Sequence, residues 1–123
     1  MMAVVLLVED DVFIRELAQE IIQEFGHQTH SAGDMDEALL FLRSSQHVDV
    51  LLADIRLGTD SLGGLELARQ AIRLRPHLRV LYTTGSAITK FADLFVYGAH
   101  FLRKPYTYSQ LQHSVEQLLA SSF

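Results

Sequence analysis

Four separated segments of this chain each run from apolar residues into a polar group that could serve one reaction centre. Val4-Val5-Leu6-Leu7-Val8 leads into Glu9-Asp10-Asp11, and Val50-Leu51-Leu52-Ala53 leads into Asp54. Val80-Leu81-Tyr82-Thr83 leads into Thr84-Gly85, and Phe101-Leu102-Arg103 leads into Lys104-Pro105. Acids gathered in one crevice repel one another and are tolerated when a cation sits between them. Hard oxygen ligands of this kind suit Mg²⁺, with Asp10 as the direct ligand and Glu9 acting through water. Asp54 is the candidate nucleophile, because a carboxylate can attack a phosphoryl group and carry it as an aspartyl phosphate. Such a transfer needs positioning and charge neutralisation more than acid–base work. The Lys104 ammonium would neutralise one phosphoryl oxygen as a mobile point charge. The Thr84 hydroxyl and nearby backbone N–H groups would hydrogen-bond the others.

The elements that must position these groups alternate strand and helix. Ala3–Val8 is a continuous apolar run, as in a strand buried on both faces. Val12–Phe25 carries Ile14, Leu17, Ala18, Ile21 and Phe25 at helical spacing, and Gly26 is placed to stop it. Gln28–Ser31 predicts a short polar strand at a sheet edge. Asp34-Met35-Asp36-Glu37 reads as a capping box that opens a helix to about Ser44. Val50–Asp54 is the next buried strand. A loop over Leu57–Gly64 leads to a helix from about Leu65 to Leu74, ended by Arg75-Pro76. Arg79–Thr83 is the fourth strand, Ala87–Tyr97 a short helix stopped by Gly98, and Phe101–Arg103 the fifth strand. Thr107-Tyr108-Ser109-Gln110 is a second capping box, opening a helix to about Ser121. Five βα units joined by short connections predict an α/β fold, a doubly wound parallel sheet with helices on both sides. Functional groups collect at the carboxyl ends of strands in such sheets, so the four polar ends should share one crevice.

Composition narrows the field. The 123 residues, 49% hydrophobic and 20% charged, are one domain's worth, and residues 1–123 are expected to be a single domain with no output domain. A net charge of -5 lacks the basic face that nucleic acid would require. There is no cysteine, which excludes thiolate metal sites and Cys nucleophiles. No stretch approaches the roughly 20 apolar residues of a membrane span, and no signal peptide is visible at the N-terminus. A cytoplasmic location is the expectation.

Several residues have plainer roles. Asp11 reads first as the cap of the helix that follows it. Gly63-Gly64 is a loop or helix-entry device, since no phosphate loop of the Gly-x-x-x-x-Gly-Lys kind is present. The histidines at 27, 30, 47, 77, 100 and 113 show no metal-ligand spacing. Phe91 and Phe95 are expected to pack on the sheet.

The acid cluster, the lone Asp54, Thr84 and Lys104-Pro105, in this order and each at a strand end, resemble the receiver domain of two-component response regulators from end to end. The resemblance implies the strand order 2-1-3-4-5, with Asp54 as phosphoacceptor, Asp10 as direct Mg²⁺ ligand and Glu9 in a lesser metal role. It implies metal coordination by the backbone carbonyl of Arg56 and a cis bond at Lys104-Pro105 that would aim the lysine into the site. Phe101 matches a position whose aromatic ring often changes orientation on phosphorylation; a fixed core residue is the other reading. A sensor histidine kinase or histidine phosphotransfer protein would be the donor. A downstream protein would bind, with the Ala87–Arg103 surface as the expected contact. The chain departs from the family in carrying Gly58 where proline is usual, in a longer loop after Asp54, and in a shorter interval from Thr84 to Lys104.

Three rivals are weaker. A haloacid-dehalogenase-like phosphohydrolase would want a second Asp two residues after the nucleophile, where Arg56 stands. An unphosphorylated docking module would not need the intact set Asp10, Asp54, Thr84 and Lys104. A flavodoxin-like cofactor protein would want a phosphate loop after the first strand. The chain is therefore expected to be a phosphoacceptor switch that assists its own phosphorylation and dephosphorylation, not an enzyme in the usual sense.

Overall fold

The apolar runs of the sequence form the middle of a sheet. A computed structural model describes residues 2–85 and 92–120. Its strands are β1 (Val4–Val8), β2 (Gln28–Ala32), β3 (Val50–Asp54), β4 (Arg79–Thr84) and β5 (His100–Arg103). They pair in parallel in the order β2-β1-β3-β4-β5, as the resemblance implies. Every residue of β1 and β3 is buried, whereas the edge strands β2 and β5 mix covered and exposed positions.

Four α-helices cover the sheet: α1 (Val12–Glu24), α2 (Met35–Leu42), α3 (Gly63–Leu74) and α4 (Tyr108–Ala120). Alternate strand residues feed two cores, as the pleat requires. Leu6, Val8, Leu51, Ala53, Val80 and Tyr82 meet Ala38, Leu39 and Leu42 of α2 and Leu67, Ala68 and Ala71 of α3. Val5, Leu7, Val50, Leu52 and Leu81 meet Ala18 and Ile22 of α1 and Leu111, Val115 and Leu118 of α4. Each fully buried Leu or Ile contributes about 1.5–3 kcal/mol, so both faces must be covered for the sheet to stand.

Local chemistry sets the helix ends. Asp11 caps α1 by accepting from the Ile14 N–H at 3.0 Å, and Gly26 at φ +92° terminates it. Asp34 accepts from the Glu37 N–H at 2.8 Å. At α4 the capping box is reciprocal. The Thr107 hydroxyl accepts from the Gln110 N–H at 3.1 Å, and the Gln110 side chain accepts from the Thr107 N–H at 2.8 Å.

Three elements differ from the sequence expectation by more than one residue at a boundary. Helix α2 ends at Leu42, not Ser44, because the Arg75 guanidinium takes the carbonyls of Leu42, Ser44 and Gln46. Helix α3 starts at Gly63, two residues early, since Gly63 and Gly64 are its first turn rather than loop. The expected helix Ala87–Tyr97 lies partly outside the described residues. Its described part is one 3₁₀ turn, Ala92–Leu94, followed by a turn at Tyr97-Gly98. The reason is a diverted donor: the Val96 N–H bonds the buried Tyr82 hydroxyl at 3.2 Å instead of continuing a helical ladder. Gly98 at φ +78° then reverses the chain into β5. Phe95 does pack on the sheet, with its ring 4.5 Å from that of Tyr82; Phe91 lies outside the described residues. Among the described residues no helix is long and apolar enough to cross a membrane.

Candidate functional site

Four neighbouring strands, β1, β3, β4 and β5, end side by side. The register sets Val8 beside Ala53, Asp54 beside Thr83, and Thr84 beside Arg103. The groups that follow or end these strands therefore meet without any long-range bend. Asp54 is the last residue of β3, and Thr84 the last of β4; both are buried. Glu9 follows β1, is buried, and donates its backbone N–H to the Ala32 carbonyl at 3.1 Å. Asp10, next to it, is exposed. Lys104 follows β5 and is tied to β4 by its N–H on the Thr84 carbonyl at 2.7 Å.

Glu9, Asp10 and Asp54 each bring one carboxylate oxygen within 4.8 Å of the others. The Lys104 ammonium reaches into this group, donating to Asp54 Oδ2 at 2.7 Å and to Glu9 Oε1 at 3.2 Å. Backbone amides also donate to Glu9 and Asp54. The Asp11 N–H donates to Glu9 Oε2 at 3.2 Å, and the Arg56 N–H donates to Asp54 Oδ1 at 3.3 Å. The Lys104-Pro105 bond is cis.

Electrostatics follow from this crowding. Burial pushes the Glu9 carboxyl up, against the Asp11 amide and the Lys104 charge, which favour its ionised form. Burial pulls the Lys104 ammonium down, but the hydrogen bond and charge of Asp54, with the charge of Glu9, outweigh it and the net shift is upward. Lys104 is thus a fixed cation set between two acids, Asp54 and Glu9. Tyr106, half-buried near it, has its phenol pushed up by desolvation.

The donor set fits a hard divalent cation: three carboxylates, no thiolate and no histidine. Of the residues singled out from sequence, Glu9, Asp10, Asp54 and Lys104 are brought into direct proximity, with Thr84 at the adjacent strand end. Asp11 is a helix cap. Phe101 is half exposed on β5, its ring 6.2 Å from that of Phe95, so it is not a core residue.

Sequence reasoning missed two supports that lie behind the carboxylates. Arg15, one turn into α1, donates from Nη1 to the Glu9 carbonyl at 2.9 Å and so braces the acid cluster from behind. An arginine one helical turn after an acidic strand end was the available signal. Gly64 reads from the sequence as loop or helix entry, yet its N–H donates to the Ile55 carbonyl at 2.7 Å, directly behind Asp54.

Comparison with known proteins gives one consistent family. A family model described as the response regulator receiver domain matches residues 5–116. The chain is 29% identical over 120 residues to the sensor kinase CckA of Brucella abortus, covering 95% of this chain but only 12% of that protein. It is 28% identical over 121 residues to the response regulator receiver protein CpdR of the same organism, covering 96% of this chain and 98% of that one. Among solved structures, a response regulator receiver protein from Sinorhizobium medicae superposes with a TM-score of 0.89 at 26% identity, covering 98% of this chain and 96% of the other.

Proposed function

This chain belongs to the response regulator receiver domain family, and we propose that Asp54 is its phosphoacceptor, taking a phosphoryl group from a phosphohistidine donor in a Mg²⁺-dependent reaction. The observation that carries the reading is the meeting of three carboxylates and one ammonium at the ends of β1, β3 and β5. An Asp54 carboxylate oxygen forms the new bond to phosphorus. The bond from phosphorus to the donor imidazole breaks, and its electron pair leaves with the ring nitrogen. Lys104, already 2.7 Å from Asp54, neutralises a phosphoryl oxygen. The Thr84 hydroxyl at the adjacent strand end hydrogen-bonds another.

Asp10 and Asp54 would hold the metal with the Arg56 carbonyl, and Glu9 through water. Bound Mg²⁺ supplies positive charge against the negative charge shared by acceptor and phosphoryl group.

The consequence is a switch rather than turnover. New negative charge at Asp54 pulls on Thr84 and Lys104. Thr84 lies two residues from Tyr82, which is paired with Phe101 and packed against the tilted ring of Phe95. Leu94, Tyr97 and Phe101 are exposed beyond them. These belong to the described part of the Ala87–Arg103 surface, which we assign to the downstream protein. A sensor histidine kinase or a phosphotransfer protein would supply the phosphoryl group, and the cytoplasm would be the place of action.

Incubation with Mg²⁺ and a small phosphodonor, read by intact mass, tests the proposal. One phosphoryl mass should appear on the wild type and none on Asp54→Ala or after chelation. Equal labelling of Asp54→Ala would overturn it.

A further inference from the structure

We propose that the backbone amide of Gly58 is a positioning group for Asp10, holding that carboxylate in the orientation in which it binds a divalent cation. The inference rests on the reading of Asp10 as a metal ligand. Glu9 and Asp54 are buried and are held by Lys104 and by neighbouring amides. Asp10 is exposed, and two acids stand beside it. Repulsion favours a rotamer that swings its carboxylate away into water. Among the described residues, the hydrogen-bond donor that opposes this is the Gly58 N–H, 3.2 Å from Asp10 Oδ2 and 48 residues along the chain. An amide bonded to a carboxylate is a charge-assisted contact, stronger than one between neutral groups.

The amide is delivered by a closed turn. Leu57 and Asp60 exchange both backbone bonds, each at 3.0 Å, across the two central residues Gly58 and Thr59. Gly58 has φ +60°, and no described residue other than glycine has positive φ, so the pair carries the sign pattern of a type II′ turn. The first central N–H of such a turn has no partner inside it and points out, here to Asp10. Both ends of the turn are anchored. Leu57 is buried in the core, and Asp60 Oδ1 accepts from the Leu62 N–H at 3.0 Å where α3 begins. Proline at 58 could supply neither the φ nor the N–H.

Calorimetric titration of the unphosphorylated protein with Mg²⁺ alone tests this. Partners that orient metal ligands are commonly worth 10–100-fold in affinity, and an exposed ligand belongs near the lower end. Gly58→Pro should therefore weaken Mg²⁺ binding by roughly tenfold. Gly58→Asn keeps the amide, although a side chain at this positive φ strains the turn, so it should weaken binding by clearly less than Gly58→Pro does. Equal weakening in both variants, or none in Gly58→Pro, would overturn the proposal. If Gly58→Pro fails to fold, amide exchange decides. The Gly58 N–H of Asp10→Ala should exchange at least about tenfold faster than that of wild type, by the loss of its bond; an unchanged rate would overturn the proposal. Since Mg²⁺ binding is read without any phosphodonor, failure here leaves the assignment of Asp54 standing, and failure of Asp54 labelling leaves this result readable.

Discussion

Gly64 stands so close to Asp54 that a Cβ added to it would overlap the Asp54 carbonyl oxygen and lie 2.7 Å from the Ile55 Cα. The first turn of α3 is thus seated directly on the backbone that carries the acceptor. The atoms in the way are main chain, which cannot rotate aside as a side chain can.

Gly64→Ala should therefore cost about 1–3 kcal/mol, the range for overpacking, and slow phosphoryl transfer by displacing Asp54. Gly63→Ala is the control. Its Cβ would meet the Leu57 Cβ at 3.1 Å and the Asp60 side chain at 3.4 Å, a milder approach. Thermal melts and an intact-mass time course of both variants check the ranking. A melt for Gly64→Ala like that of wild type would show that α3 can retreat without cost.

Lys104→Ala removes the cation bonded to two of the three clustered acids, Asp54 and Glu9. Mg²⁺ would no longer compete with the ammonium, so its binding should tighten, by roughly several-fold for charges at this partly exposed distance. Phosphoryl transfer should slow at the same time, and Lys104→Arg should not restore it, because a planar fork does not replace a compact ammonium. Calorimetry and mass kinetics read the two effects separately. Weaker Mg²⁺ binding in Lys104→Ala would mean that the lysine serves chiefly to hold the carboxylates in place.

Tyr82→Phe deletes the hydroxyl that accepts the Val96 N–H while keeping the ring against Phe95. The expected cost is about 1 kcal/mol. Hydrogen exchange should speed up at Val96 more than in β4. An unaltered Val96 rate would show that the turn from Ala92 to Gly98 holds itself.

His27 predicts a pH dependence of stability. Its ring is buried, Nδ1 accepts from the Ala3 N–H at 2.9 Å, and burial lowers its pKa, with the charges of Glu116 and Asp49 opposing. The unfolded chain therefore binds the proton more tightly than the folded one. The contribution of neutral His27 is complete above the unfolded value of about 6.5 and is lost as pH falls from there toward the folded value. Melting temperatures between pH 7.5 and 5 should fall less steeply for His27→Gln than for wild type. Parallel slopes would place the acid sensitivity elsewhere.

What was legible in the sequence was whatever depends on near neighbours. Strands β1 and β3 are buried on both faces, so they are unbroken apolar runs, and the polar residue at each end is conspicuous. Asp11, Asp34 and Thr107 each cap a helix with an N–H three residues away, which a local motif captures. Parallel pairing then carries Glu9, Asp10, Asp54 and Lys104 to one edge, because in such a sheet all strand ends point the same way. Tertiary structure decided whatever depends on an approach between distant atoms. The Gly58 amide finds Asp10 across 48 residues, and nothing in either local sequence marks the pair. Gly64 looks like any loop glycine until the backbone of Asp54 occupies the space of its Cβ. The apolar stretch from Ala92 to Tyr97 reads as helix by its own pattern. It makes a single 3₁₀ turn because the hydroxyl of Tyr82, fourteen residues earlier and buried in the sheet, claims the Val96 N–H. Propensity acts along the chain, and a hydrogen bond from a neighbouring element outweighs it.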